Sequence, residues 1–219
     1  MSKETQNKKK STIIKDAMVL FIITLIAGFA LGLVYEITLP AIEDRKLQAK
    51  QDAFSTVYAD AAEFIEDATL TRQAGQAAKT VLEPKGYKNI TIDEAYVAVD
   101  ETGNKLGYVM TVTTQEGYGG AITISLGYAL DGTVKGMEVL SINETAGLGA
   151  NAAKDTFKSQ FANKKVAKFA YTKTGATAEN EIDALSGATI TTTAVVDAMN
   201  SGICFITDLV EAGNNLGGE

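Results

Sequence analysis

Nineteen consecutive residues without a charge, Ala17 to Tyr35 (AMVLFIITLIAGFALGLVY), constrain this chain more than any other feature. About 20 mostly apolar residues are what an α-helix needs to cross the hydrocarbon core of a bilayer. The run therefore predicts a transmembrane helix over residues 17–35 and contact with membrane lipid. A cleaved secretory signal is the competing reading, with Ala30 and Gly32 as small residues at a cleavage point, although the apolar region of such a signal is typically only about 7–15 residues. A lipoprotein anchor is excluded, because the single cysteine, Cys204, lies near the opposite end.

Charge then sets an expected orientation. Lys3, Lys8, Lys9, Lys10 and Lys15 stand before the apolar run against Glu4 and Asp16, and such an excess keeps residues 1–16 in the cytoplasm as a basic tail. From Glu36 onward there are 15 basic and 25 acidic residues, a net charge of −10. That balance suits a solvated domain outside an acidic membrane surface and disfavours nucleic acid as a partner. A basic leader before an apolar helix also resembles the layout of pilin-like filament proteins. Those call for an acidic residue a few positions into the apolar run, and here Glu36 comes only at its end.

The chain has no histidine and one cysteine. It offers no Ser-His-Asp or Cys-His set, no His-ligated haem and no self-sufficient iron–sulfur or Cys/His zinc site. Redox work by this chain would need an organic cofactor held by backbone, hydroxyl and apolar contacts. Cys204, among Ile203, Phe205 and Ile206, reads as a small packing residue.

Residues 36–88 are rich in Ala, Glu, Asp, Lys and Gln, which predicts a helical linker region with Pro40 as a break or kink. From Ile90 the apolar period becomes two, as in Leu106, Tyr108, Met110 and Val112, then Ile122, Ile124, Leu126 and Tyr128. Asp131-Gly132 is a hairpin signal before Val134. Helical segments follow near Ala152–Phe161 and Thr192–Ala212, and Tyr171–Glu181 reads as a surface loop. The fold class is thus α+β: an antiparallel sheet over residues 89–212 with helices packed on one face, ending in a flexible polar tail at 213–219.

Chemistry concentrates at Asp183-Ala-Leu-Ser186-Gly187-Ala188-Thr189, a hydroxyl-bearing loop before an amphipathic helix carrying Val195, Met199, Ile203 and Ile206. A helix start offers unpaired N–H groups and the positive end of the helix dipole, so Ser186 to Thr191 can cradle an anionic group with the Thr189 hydroxyl presented to it. Thr191 to Thr193 can supply the N-cap, and they are competing hydroxyls. An ordinary capped strand-to-helix loop has the same composition. Upstream lie Gly117-Tyr118-Gly119-Gly120 and Glu144-Thr145-Ala146-Gly147-Leu148-Gly149, whose glycines permit torsions or close approaches that other residues forbid.

Asp183-x-x-Ser186-Gly187-Ala188-Thr189 resembles the flavinylation motif of the FMN-binding domain found in the G subunit of Rnf complexes and in its relative, the C subunit of the sodium-pumping quinone reductase. Glu144 to Gly149 resembles the Glu-Thr-Pro-Gly-Leu-Gly stretch of the Rnf G subunit, with Ala146 where Pro is usual. The resemblance implies an extracytoplasmic FMN-binding domain with FMN held covalently, by a phosphodiester bond to Thr189. It further implies close backbone approach at Ser186, Gly187 and Ala188, the motif's acidic residue at Asp183, the flavin ring near Glu144, Thr145, Leu148 and Gly149, and Tyr118 as a stacking wall. No residue is assigned as catalytic or as a metal ligand. Free threonine is a poor nucleophile, so a separate flavin transferase using FAD and a divalent metal is implied as a maturation partner. The remaining implied partners are the other Rnf subunits, in an electron relay between ferredoxin and NAD coupled to Na+ or H+ movement. A noncovalent extracytoplasmic binding module and an assembly anchor without redox activity are the alternatives.

Overall fold

A computed structural model describes residues 3–216. The chain folds as two units, Met1–Gln48 and Ala49–Glu219. The first helix, α1 (Lys3–Val57), runs through both and contains Pro40 without interruption, so the break expected there does not occur. A proline's missing N–H and ring cost most where the surrounding turns are otherwise fixed by packing, and Pro40 and its neighbours are largely exposed. Within the first unit the apolar run is helical and its side chains are bare, Leu20 and Phe29 among them. A helix apolar on every side has no polar face to turn to water.

The second unit begins with the last turns of α1. Tyr58 to Ala62 turn the chain, and strand β1 (Glu63–Glu66) follows inside the region 36–88 read as a helical linker. β1 is a short edge strand held by its antiparallel ladder to β2 (Ile90–Val99), and three of its four residues are exposed. Helix α2 (Ala68–Ala77) starts on Asp67, whose carboxylate accepts from the Thr69 and Leu70 N–H groups at 2.9 and 2.8 Å. A π turn (Ala78–Leu82) and a 3₁₀ turn (Glu83–Lys85) then lead into β2. Strands β3 (Lys105–Thr114), β4 (Ile122–Ala129) and β5 (Val134–Ile142) complete a five-stranded antiparallel meander in sequence order. The β4–β5 turn is the one read at Asp131-Gly132: Gly132 has φ +91° and donates to the Ala129 carbonyl.

The sheet is covered on both faces, not on one. Met110, Val112, Ile124 and Leu126 belong to the same core as Val195, Met199, Ile203 and Ile206 of α4 (Thr189–Leu216). The opposite face packs Ala98 and Val109 against Phe54, Val57 and Tyr58 at the end of α1. That second contact rests on missing side chains: a Cβ at Gly127 would lie 2.6 Å from the Val57 carbonyl oxygen, and one at Gly107 2.9 Å from the Tyr58 hydroxyl. Lys50 Nζ and the Tyr96 hydroxyl both donate to Glu94 on this face.

Between β5 and α4 the expected helix near 152–161 is three short pieces, a 3₁₀ turn (Gly149–Ala153), α3 (Asp155–Lys158) and a 3₁₀ turn (Ser159–Phe161). They are pinned by edge-on stacking of Phe161 on Phe157 and Phe169, with centroids 5.6 and 5.0 Å apart. The segment read as a loop is bracketed by a parallel pair, β6 (Ala170–Thr172) and β7 (Glu181–Asp183). Helix α4 extends to Leu216, so the first residues of the tail expected at 213–219 are helical, and residues 217–219 lie outside the described residues.

Two outcomes are expected. Gly127→Ala should lower stability by about 1–3 kcal/mol, because the added methyl meets backbone and not a movable side chain; thermal melts of the full chain in detergent measure it. Burial opposes charge on Glu94, but the bonds from Lys50 and Tyr96 and the lysine charge outweigh it and hold the carboxyl below its ordinary value of 4.5. A depressed carboxyl contributes stability that is present above its unfolded value and lost as pH falls through its folded one. The native melting temperature should therefore fall more steeply below about pH 4.5 than that of Glu94→Gln, and equal slopes would remove this role.

Candidate functional site

Three loops converge at the N-terminus of α4. The first, Gln115–Ala121, joins β3 to β4, and its glycines are dictated by space. A Cβ at Gly119 would sit 1.9 Å from the Asn143 carbonyl oxygen and one at Gly117 2.3 Å from that of Gly120. The loop can thus lie directly on the chain leaving β5. Along that second loop, Leu148 and Ala150 both donate to the Thr145 carbonyl, at 3.1 and 3.2 Å, with Gly147 at φ +80°. The turn closes with Ala146 in place of proline. Gly149 is buried, and a Cβ there would lie 2.6 Å from Thr191 Oγ1 and 2.7 Å from Glu144 Oε2. Only glycine lets Glu144 and the first turn of α4 share that point.

The third loop leaves β7 and enters α4. Ala188 donates to the Leu185 carbonyl at 3.1 Å with Gly187 at φ +71°, and Thr189 is the first helical residue. The helix starts before the Thr191–Thr193 N-cap read from sequence. Thr192 instead is fully buried and ties the loop down, accepting from the Leu185 N–H at 3.0 Å and donating to the Ala188 carbonyl at 2.9 Å. The first intrahelical bond runs from Thr192 N to Ala188 O. It leaves the N–H groups of Thr189, Ile190 and Thr191 without an intrahelical acceptor, at the positive end of a 28-residue helix.

These loops enclose a cavity of about 490 Å³, within the range of small-molecule sites. Of the residues singled out from sequence, Tyr118, Glu144, Thr145, Leu148, Gly149, Gly187, Ala188 and Thr189 line it. Asp183 and Ser186 do not. The Asp183 carboxylate is turned to the Ala176 N–H at 2.6 Å, and Ser186 lies in the turn without reaching the wall. Ile190 and Thr191, the end of the Ser186–Thr191 stretch read as an anion cradle, line the cavity too. Ile190 was legible, being an apolar residue on the first turn but off the buried stripe, and it is 54 % exposed.

The four neighbouring threonines are not equivalent. Thr191 is buried, Thr192 is committed twice, and the Thr193 hydroxyl donates to the Thr189 carbonyl at 2.9 Å. The Thr189 hydroxyl has no hydrogen-bond partner among the described residues, and the residue stands on the cavity wall. Glu144 Oε1 is buried with no partner. The wall therefore combines apolar Tyr118, Leu148 and Ile190, a free hydroxyl, free N–H donors and an unused carboxylate oxygen. That set fits an amphipathic anion with a flat apolar part. Among the described residues no group of three or more His, Cys, Asp or Glu is placed to hold a metal ion. Cys204 lies elsewhere on α4, half-buried, and burial pushes its thiol up despite nearby Lys85.

Residues 117–203 match the FMN-binding domain family. Over 205 residues the chain is 30 % identical to the G subunit of the Na(+)-translocating ferredoxin:NAD(+) oxidoreductase complex of Acetobacterium woodii, covering 91 % of this chain and 96 % of that one. It is 32 % identical to the G subunit of the proton-translocating ferredoxin:NAD(+) oxidoreductase complex of Clostridium ljungdahlii, covering 90 % and 94 %. A crystal structure of Shewanella oneidensis NqrC superposes with a TM-score of 0.46 at 21 % identity, over 70 % of this chain and 73 % of that one.

Thr192→Ala should cost about 1–3 kcal/mol, more than a surface cap, because it strips the Leu185 N–H of its acceptor inside the fold. Urea unfolding of the full chain in detergent measures the loss, and a cost near zero would contradict the structural duty of this hydroxyl.

Proposed function

The chain belongs to the G-subunit family of ion-translocating oxidoreductase complexes, and on that premise we propose that it is a membrane-anchored flavoprotein carrying FMN covalently on Thr189. The observation that carries the reading is the free Thr189 hydroxyl on the cavity wall, beside three uncommitted helix N–H groups and away from neighbours whose hydroxyls are buried or committed. The residues present fit the group: the N-terminus of α4 suits a phosphate, Tyr118, Leu148 and Ile190 suit an isoalloxazine ring, and Glu144 Oε1 is an acceptor with nothing to accept from.

In attachment, Thr189 Oγ1 displaces AMP from the flavin's phosphate in FAD. The phosphorus–oxygen bond to AMP breaks, one to Thr189 forms, and the hydroxyl proton leaves. With Asp183 turned away from the cavity and no acidic or basic group other than Glu144 on its wall, base and divalent metal come from a separate flavin transferase. The N–H groups of Ile190 and Thr191 would hold the phosphodiester, and the close backbone at Gly187 and Ala188 would leave room for it. Bound FMN would supply reversible electron transfer.

The uncharged stretch of α1 crosses the membrane, with the lysines before it on the cytoplasmic side and Ala49–Glu219 outside. The apolar run carries no charged residue along which an ion could pass, so ion movement belongs to other parts of the complex. This chain relays electrons within a ferredoxin:NAD oxidoreductase that moves Na+ or H+, and covalent attachment keeps the cofactor from being lost outside the cell.

Coexpression with a flavin transferase should add the mass of an FMN phosphodiester to the full chain and leave a fluorescent band after denaturation. Thr189→Ala should lose both while Thr193→Ala keeps them. Native chain left unmodified by a transferase active on a control substrate would sink the covalent reading in favour of a noncovalent module or an assembly anchor.

A further inference from the structure

Glu144 is held in an unusual way. It follows β5 on the second loop, and its carboxylate is wedged between two backbone segments that only glycine could form. Oε1 lies 3.0 Å from where a Cβ of Gly117 would be, and Oε2 2.7 Å from that of Gly149. Both glycines come from loops that line or support the cavity. Oε2 and Thr191 Oγ1 flank the same point beside Gly149, so the carboxylate sits next to the first turn of α4. Its other oxygen, Oε1, is buried and accepts nothing.

A buried acceptor without a donor is a cost to folding. Ion pairs elsewhere in this unit show how the chain treats acidic groups it uses for structure. Glu138 receives Lys158, and Glu94 receives Lys50 and Tyr96. Glu144 has no basic side chain against it among the described residues, and no lysine or arginine lines the cavity. Glu144 lines the cavity, so a donor that fills it meets this carboxylate.

Resting on the flavin reading above, we infer that Glu144 is the residue that sets the reduction potential of the bound ring. FMN's neutral donors are the ring imide N–H and the ribityl hydroxyls, and the Glu144 carboxylate on the cavity wall accepts from one of them. The acceptor fixes the ring's position. The negative charge opposes any gain of electrons beside it and so holds the potential low. The α4 N-terminus offsets this charge in part, which lets a carboxylate and a phosphodiester occupy neighbouring places.

Glu144→Gln tests this, because it keeps an oxygen acceptor and nearly the same shape while removing the charge. The full chain, coexpressed with a flavin transferase, is compared with Glu144→Gln and with Glu101→Gln, an exposed change of equal charge in the β2–β3 turn. Flavin content by intact mass should be equal in all three. The midpoint potential from spectroelectrochemistry should rise in Glu144→Gln and stay fixed in Glu101→Gln, and the apo form of Glu144→Gln should melt no lower than native. An unchanged potential at equal flavin content, or a rise shared by Glu101→Gln, overturns the inference. Native chain without attached flavin overturns the covalent reading instead. The same variants are then titrated with free FMN and the potential of the complex is measured, where an unchanged potential in Glu144→Gln, or no binding to native chain, again overturns this one.

Discussion

The seating of α4 on the sheet is the contact on which the rest depends. A Cβ at Gly202 would fall 2.1 Å from Leu126 Cδ2 and 3.2 Å from Met110 Sδ, so the helix comes down onto β3 and β4 at a residue with no side chain. A helix is stiff along its axis. Thirteen residues separate Gly202 from Thr189, roughly 20 Å at about 1.5 Å per residue. A packing contact far from the cavity therefore fixes where the free N–H groups end up, and the bonds of Thr192 to Leu185 and Ala188 then fix how the incoming loop meets them. The core is the aiming device of the site.

Glycine does two different jobs around it. At Gly187 and Gly147 the positive φ values turn the chain, a conformational role that sequence can announce. At Gly117, Gly119 and Gly149 the backbone has no room for a side chain because another backbone or Glu144 occupies it. The motif Glu-Thr-Ala-Gly-Leu-Gly mixes both kinds in six residues, which explains why Ala146 is tolerated: the turn is closed by the Thr145 carbonyl and the Gly147 torsion, neither of which needs a fixed ring at position 146.

Legibility followed the physical origin of each element. β3 and β4 are long, largely buried strands whose period of two is set by the core they face, so Leu106 to Val112 and Ile122 to Tyr128 declared themselves. β1, β6 and β7 are three or four residues each, and ladder bonds hold them more than burial does; four residues of Glu-Phe-Ile-Glu carry no period to read. The second cover of the sheet was hidden for a related reason. The end of α1 docks through glycines on its partner strands, and an absent side chain gives no hydrophobic signal. In the site, eight of the residues singled out converge on one cavity, whereas Asp183 does not, because its carboxylate serves the Ala176 N–H and its place in a motif says nothing about where its side chain turns.

The choice among four adjacent threonines shows what burial adds to a motif. In sequence Thr189, Thr191, Thr192 and Thr193 carry the same chemistry within five residues. Helical geometry separates them by about 100° per residue, which sends Thr192 into the core, buries Thr191 at the cavity wall beside Gly149, and leaves Thr193 to bond back to the turn before it. Each of those hydroxyls would have to give up burial or a hydrogen bond to meet a phosphorus atom. Thr189 gives up neither: it stands at the first helical position, where the backbone carbonyl belongs to the helix and the side chain still belongs to the cavity. A reactive hydroxyl with no structural duty can be modified without loosening the fold, and the first residue of a helix is where a chain can place one with least disturbance.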